Sequence, residues 1–166
     1  MKTLKIFIIL FSLSATLAKA QFIKAELQVS GLTCALCAKT TEKSLRALPF
    51  VSEIKTDLIR NTYLITFKND VPVNFEHISK KVQDSGFSVN SLKATYNFDN
   101  TKVADNYFSY GGDTYRLLNP ADKSINGTVN VTVVDFGFAP KSVSKKYLGQ
   151  VTDKAPASGR IYHLAI

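Results

Sequence analysis

Between residues 22 and 29, Ala25, Leu27 and Val29 alternate with Lys24, Glu26 and Gln28, the period-two pattern of a half-buried strand. Gly31-Leu32-Thr33 breaks it, and the spacing then changes. From Ala35 to Leu48, the positions Ala38, Thr41, Leu45 and Leu48 fall at i, i+3, i+7 and i+10, one stripe of a helix whose other faces carry Lys39, Glu42, Lys43 and Arg46. Pro49 stops this helix, because the residue before a proline avoids the α region. Ile54, Thr56 and Leu58 alternate next, Arg60-Asn61 turn the chain, and Tyr63, Ile65 and Phe67 alternate again, which predicts a hairpin. After the bend at Lys68–Pro72, Phe75, Ile78, Val82 and Ser85 mark a second helix. Gly86 ends it, and Phe87 with Val89 opens a strand running to about Tyr96. Strand, helix, hairpin, helix, strand is the βαββαβ ferredoxin-like order, an α+β fold with both helices on one face of an antiparallel sheet.

Beyond residue 98 the pattern changes. Six of the eight glycines lie in 100–166, and Asp99-Asn100-Thr101-Lys102 is polar enough to serve as a linker. Tyr107, Phe108 and Tyr110, then Tyr115 to Leu118, then Val129, Val131 and Val133 read as short strands. Asp135–Pro140 reads as a loop, Lys141–Leu148 as a short helix and Arg160–Ile166 as a closing strand. Residues 21–98 and 99–166 are therefore expected to be two small domains, the second a β-rich barrel or sandwich, of oligonucleotide-binding-fold type, with its aromatics as core. Asn126-Gly127-Thr128 and Asn130-Val131-Thr132 match glycosylation acceptors.

The first twenty residues follow a different logic. Lys2 and Lys5 precede an uncharged run from Ile6 to Ala18, and Ala18-Lys19-Ala20 ends it, the layout of a signal peptide cut after Ala20. The run is short for a membrane span, so none is expected in the mature chain. Of the 166 residues 45% are hydrophobic and 20% charged, a globular composition, and the formal net charge is +8. Three of the lysines lie in the leader, so 21–166 carries +5, spread along the chain. Nucleic-acid binding, which wants clustered Lys and Arg interleaved with stacking aromatics, is not supported. Export to a periplasmic or extracellular, oxidising compartment is the expectation.

The chemistry lies in Gly31-Leu32-Thr33-Cys34-Ala35-Leu36-Cys37, which holds both cysteines of the chain at a strand-to-helix junction. There, unpaired backbone N–H groups and the helix dipole favour thiolate over thiol. Two convergent soft anions suit Cu(I), which accepts low coordination; tetrahedral Zn(II) would need ligands from outside. A thiol–disulfide oxidoreductase also places such a pair at a helix N-terminus, but its parallel crossover does not fit the hairpin that follows here. A structural disulfide closing so small a loop would constrain the unfolded chain little. Ala38 in place of histidine excludes c-type haem attachment. His77 and His163 fit ordinary surface or half-buried roles, and His163 is the imidazole open to the second domain should that domain bind metal.

Gly31-x-Thr33-Cys34-x-x-Cys37-Ala38, with Leu45, Val51, Ile54 and Asp84-x-Gly86-Phe87 in register, resembles the heavy-metal-associated domain of copper chaperones, metal-transporting ATPases and the periplasmic mercury-binding protein. The resemblance covers residues 22 to about 96. It implies a βαββαβ unit whose exposed first loop carries Cu(I), or Hg(II), between Cys34 and Cys37 and hands it by ligand exchange to a partner such as a metal-transporting ATPase or a related domain, with no catalytic residue. Three positions depart from the family pattern. Leu32 stands where methionine is usual, Phe50 replaces a glycine before Val51, and Phe87 replaces the lysine of many soluble chaperones, where a ring should pack beneath the loop. Lys39 and Lys43 could lend positive potential to a docking face; a solvated helix face is the alternative.

Overall fold

The computed structural model describes residues 21–119, 125–149, 151–153 and 159–166. The leader proposed for residues 1–20 lies outside them. β1 (Gln21–Ser30), α1 (Ala35–Arg46), β2 (Val51–Asp57), β3 (Thr62–Phe67), α2 (Phe75–Asp84) and β4 (Ser88–Asn97) follow in the order that the periodicities predict. β1 is central: Leu27 stands opposite Tyr63 of β3 on one side and Leu92 of β4 on the other, both antiparallel. A bulge between Phe22 and Lys24 lets Phe22 and Ala25 both reach the core. The buried positions of α1 are Ala38, Thr41 and Leu45, the stripe that the spacing marks, and those of α2 include Phe75, Ile78 and Val82. Asn74 caps α2, its side chain accepting the His77 N–H at 3.0 Å. Phe50, the departure before β2, is buried against Phe67.

The second half does not close into a barrel or sandwich of its own. β5 (Tyr107–Tyr110), β6 (Asp113–Leu118), β7 (Thr128–Val133), α3 (Lys141–Leu148) and β8 (Ile161–Ala165) extend the first sheet, giving the order β2-β3-β1-β4-β7-β8-β6-β5. β7 adds antiparallel to β4, the outer strand of the βαββαβ unit, and so pairs an edge that would otherwise present unsatisfied N–H and C=O groups. β8 meets β7 at Thr132–Ala165 and Val133–Leu164, and runs parallel to β6 from Thr114–Ile161 to Leu118–Ala165. The alternation of Val129, Val131 and Val133 shows that one face is buried. It does not name the strand that β7 will join.

Residues 99–102, read as a linker, form a turn in which the Thr101 N–H donates to the Phe98 carbonyl, and the core runs past them. Phe22, near the start of β1, packs against Phe75, Tyr96, Tyr110 and Tyr115 with ring centroids 4.7–5.4 Å away. Tyr115 in turn stacks between Phe108 and Tyr162. Ring pairs of this kind add about 0.5–1.5 kcal/mol each beyond their burial. Arg160 completes the joint, pairing with Glu76 of α2 and lying over the rings of Phe138 and Tyr162. No described helix is long and apolar enough to cross a membrane.

Candidate metal centre

Sequence alone brings Cys34 and Cys37 within three residues, and the local fold decides how they are shown. Gly31 turns the chain out of β1 at φ +91°, a left-handed conformation that glycine adopts without steric cost. A Cβ there would stand 3.4 Å from the Phe87 ring, so this ring packs beneath the loop, as its position in the sequence suggests. Leu32, 8% exposed, pins the loop to the core from the side of β1, and Ala38, buried, pins it from the side of α1. Between these anchors Thr33 and Cys34 are exposed and Cys37 is half-buried.

Cys34 is the N-cap of α1. Its extended backbone leaves Sγ free to accept the Cys37 N–H at 3.1 Å, while its carbonyl accepts from Ala38 N at 3.1 Å. The first turn of α1 has no acidic residue, so nothing there offsets the positive end of the helix dipole. Two further bonds hold the start of the helix. Thr41 Oγ1 donates to the Cys37 carbonyl at 3.1 Å, and the buried Tyr63 hydroxyl donates to the Ala38 carbonyl at 2.9 Å. The two sulfurs face each other and are joined as a disulfide, with Cα atoms 5.4 Å apart. Once reduced, the same geometry offers two adjacent thiolates at a helix N-terminus.

The turn between β2 and β3 stands beside the loop. The Val29 N–H donates to the Asn61 carbonyl at 3.0 Å, and Leu58 and Asn61 line a small cavity of about 140 Å3 together with Leu32, Thr33 and Cys34. The sequence reading places a turn at Arg60-Asn61 but not next to the cysteines. The register supplies the signal, since Thr62 stands opposite Gln28 at the end of β1.

On the outer side of α1, a groove of about 730 Å3 is bounded by Leu36, Lys39, Lys43, Arg46 and Leu58. Leu36, between the two cysteines in sequence, is 74% exposed, and Ile59, in the turn between β2 and β3, is 96% exposed. Within the groove, Glu42 accepts from Thr56 and Arg46 at 2.7 and 2.8 Å. The Thr56 hydroxyl first, and the Arg46 guanidinium with it, hold the Glu42 carboxyl below its ordinary range against the upward pull of burial. With Glu42 and Arg46 paired, Lys39 and Lys43 set the sign of this face.

Among the described residues, no group of three or more His, Cys, Asp or Glu side chains converges as a metal site. His77 is exposed on α2. His163 is buried, not on the surface, and each of its ring nitrogens meets a carboxylate. Among the described residues, then, Cys34 and Cys37 stand as a two-sulfur pair with no third His, Cys, Asp or Glu side chain converging on them.

Residues 26–88 match the family model described as the heavy-metal-associated domain. This stretch is a heavy-metal-associated domain. The copper-exporting P-type ATPase of Bacillus subtilis is 27% identical over 130 residues, 77% of this chain and 16% of the ATPase. A probable copper-exporting P-type ATPase of Archaeoglobus fulgidus is 31% identical over 72 residues, 43% of this chain and 9% of the ATPase. The chain thus spans less than a fifth of the length of these curated relatives. Among solved structures, the yeast copper transporter domain CCC2A in its apo and Cu(I) load states has a TM-score of 0.36 at 31% identity, covering 40% of this chain and 90% of that one. The N-terminal soluble domains of Bacillus subtilis CopA give 0.40 at 19% identity, covering 80% and 90%.

Proposed function

We propose that this chain is an exported carrier, not an enzyme, that holds a soft metal ion between the Cys34 and Cys37 thiolates and passes it to a partner by ligand exchange. The observation that carries this reading is the placement of both sulfurs, side by side and accessible, at the N-terminus of α1. Cu(I) is the favoured cargo and Hg(II) the next, because each is soft and accepts two-coordinate thiolate binding, while Zn(II) would be left short of two ligands. The disulfide is the resting form from which loading begins. A dithiol reductant supplies two electrons and two protons to open it, and the metal ion then displaces the thiol protons.

Exchange needs an incoming thiolate to reach the metal while the first two still hold it. Exposed Leu36, Leu58 and Ile59 with Lys39 and Lys43 give such a partner an apolar, positively charged landing face, which fits an acidic metal-binding domain of a transporter. Titration of the reduced chain with Cu(I) against a chromophoric chelator tests the proposal. One Cu(I) per chain is expected, with zinc far weaker, and Cys34→Ser or Cys37→Ser should abolish tight uptake while leaving the circular dichroism spectrum unchanged. Uptake by the double variant equal to wild type would overturn the assignment.

The disulfide also favours a second reading, thiol–disulfide exchange on substrates, in which exposed Cys34 is the attacking sulfur. Insulin reduction above the level of free dithiol would support that reading against the carrier.

A further inference from the structure

Tyr162 and Leu164 of β8 lie in the aromatic core, so His163 between them emerges on the opposite face of the sheet. It is 7% exposed there, and both ring nitrogens meet carboxylate oxygens: Nδ1 lies 2.7 Å from Asp135 Oδ1, and Nε2 lies 2.7 Å from Asp153 Oδ2. The second oxygen of Asp135 accepts the His163 backbone N–H at 2.6 Å. The second oxygen of Asp153 accepts from Arg116 Nη1 of β6 at 2.6 Å and from the Tyr107 hydroxyl of β5 at 3.0 Å. Arg116 also donates to the Thr152 carbonyl at 3.2 Å, and Lys146 of α3 lines the adjoining cleft with Arg116 and Val151. Two acids, one base, one guanidinium and one phenol, from three strands and two connections, therefore form one hydrogen-bonded cluster.

An ionised carboxylate can only accept hydrogen bonds, so two carboxylates on two ring nitrogens require a proton on each nitrogen. We propose that Asp135, His163 and Asp153 form a proton-held clasp that fastens residues 151–153, part of the connection from α3 to β8, to this face of the sheet, and that loss of the ring proton loosens that segment. Asp153 has donors of its own in Arg116 and Tyr107, so the remaining ring proton stays at Nδ1, toward Asp135, whose other oxygen still accepts the His163 backbone N–H. The Nε2 lone pair then faces Asp153, which keeps Arg116 and Tyr107 but gains a repulsive neighbour.

The electrostatics agree. Burial pulls the imidazole down, but hydrogen bonds and charge from Asp135 and Asp153 outweigh it and raise the His163 pKa above its ordinary value. Asp153, pushed up by burial, is held low by Arg116 and His163. A base whose folded pKa is raised stabilises fully below its unfolded pKa, and the contribution is lost as pH rises through the folded value. The segment therefore loosens on the alkaline side.

The test is an NMR titration of the full chain. The His163 ring should titrate above the ordinary histidine value of about 6.5. Over the same pH interval the heteronuclear NOE at Thr152 and Asp153 should fall, and the Val151 amide, bonded to the Leu148 carbonyl, should lose protection after correction for intrinsic exchange. Amides of β1 should stay protected, which separates local loosening from unfolding. Asp153→Asn should lower the His163 midpoint and remove the pH step at 151–153. A wild-type midpoint at or below 6.5, or dynamics at 151–153 that stay flat through the titration, overturns the clasp whether or not the variant folds.

Discussion

β1 and β7 flank β4, each antiparallel to it, so they run parallel to each other and their following loops leave the sheet at the same end. Both loops use a left-handed glycine, Gly31 at φ +91° and Gly137 at φ +92°. In both, a helix begins four residues after that glycine, at Ala35 and at Lys141. The backbone plans match, and the side chains drive them apart. The first loop exposes Thr33 and Cys34 and caps α1 with a sulfur that accepts a backbone N–H. The second buries Phe138 and Ala139, ties the Gly137 carbonyl to the Ser79 hydroxyl at 2.9 Å, and enters α3 through Pro140, which makes no side-chain cap bond. One strand–loop–helix turn thus serves as a display for chemistry or as a packing device, according to whether its middle residues are polar or apolar.

The sharpest way to break this contrast is to empty each loop of its defining side chain. Under reducing conditions, Cys34→Ser should eliminate tight Cu(I) uptake and shift stability by no more than about 0.5 kcal/mol, the usual range for an exposed site. Phe138→Ala should do the reverse. Phe138 is 1% exposed against Tyr162 and Arg160, and its truncation should cost about 3–5 kcal/mol in denaturant unfolding while the folded fraction still takes up Cu(I). Loss of metal uptake by folded Phe138→Ala would show the two loops to be coupled.

Exchanging the glycines sharpens the comparison further. Alanine at either position must hold a left-handed φ, at a cost of about 1–2 kcal/mol. Gly31→Ala should also lower Cu(I) affinity, because the backbone strain sits three residues before Cys34 and its Cβ would touch the Phe87 ring beneath the loop. Gly137→Ala, whose Cβ would meet Ser79 Oγ at 3.6 Å, should leave affinity unchanged. Equal effects on affinity would remove the distinction between display and packing.

This division also explains what could be read in advance. Ala25, Leu27 and Val29 belong to a strand buried on one face, and Ala38, Thr41 and Leu45 to a helix buried along one stripe, so the βαββαβ unit and the exposed cysteine junction follow from local periodicity. Val129, Val131 and Val133 carry an equally clear period, yet the choice of partner depends on a free edge at β4, which lies far away in sequence. The parallel pairing of β6 with β8 and the meeting of Asp135, Asp153 and His163 are long-range in the same way. No spacing rule encodes them. The joining of the two sulfurs is a redox state, which residue types alone do not specify.

A smaller effect concerns the helices that the two loops lead into. Glu42 ties α1 to β2 through Arg46 and Thr56, with its side chain 24% exposed. Because its carboxyl is held below the ordinary range, the stabilisation is present above the unfolded value of about 4.3 and is lost as pH falls through the lower folded value. After discounting for solvent screening, the pair contributes no more than about 1 kcal/mol. Wild type should therefore melt slightly higher than Glu42→Gln at pH 7, and the gap should close as pH falls through the lowered folded value. A gap that persists in acid would assign the effect to packing.

The smallest change should come from Leu32→Met, which places at the loop anchor the residue usual in this family. Leucine and methionine have similar volumes, and such swaps usually cost less than about 1.5 kcal/mol. Leu32 is 8% exposed and packs in the core cluster, so its replacement by a more flexible chain should alter loop mobility while the Cu(I) affinity stays within twofold of wild type. Relaxation measurements on Thr33 and Cys34 would register the mobility, and chelator competition the affinity. If affinity moved while stability did not, the anchor would be tuning the approach of the two sulfurs. The display loop would then depend on its buried flank as closely as the packing loop depends on Phe138.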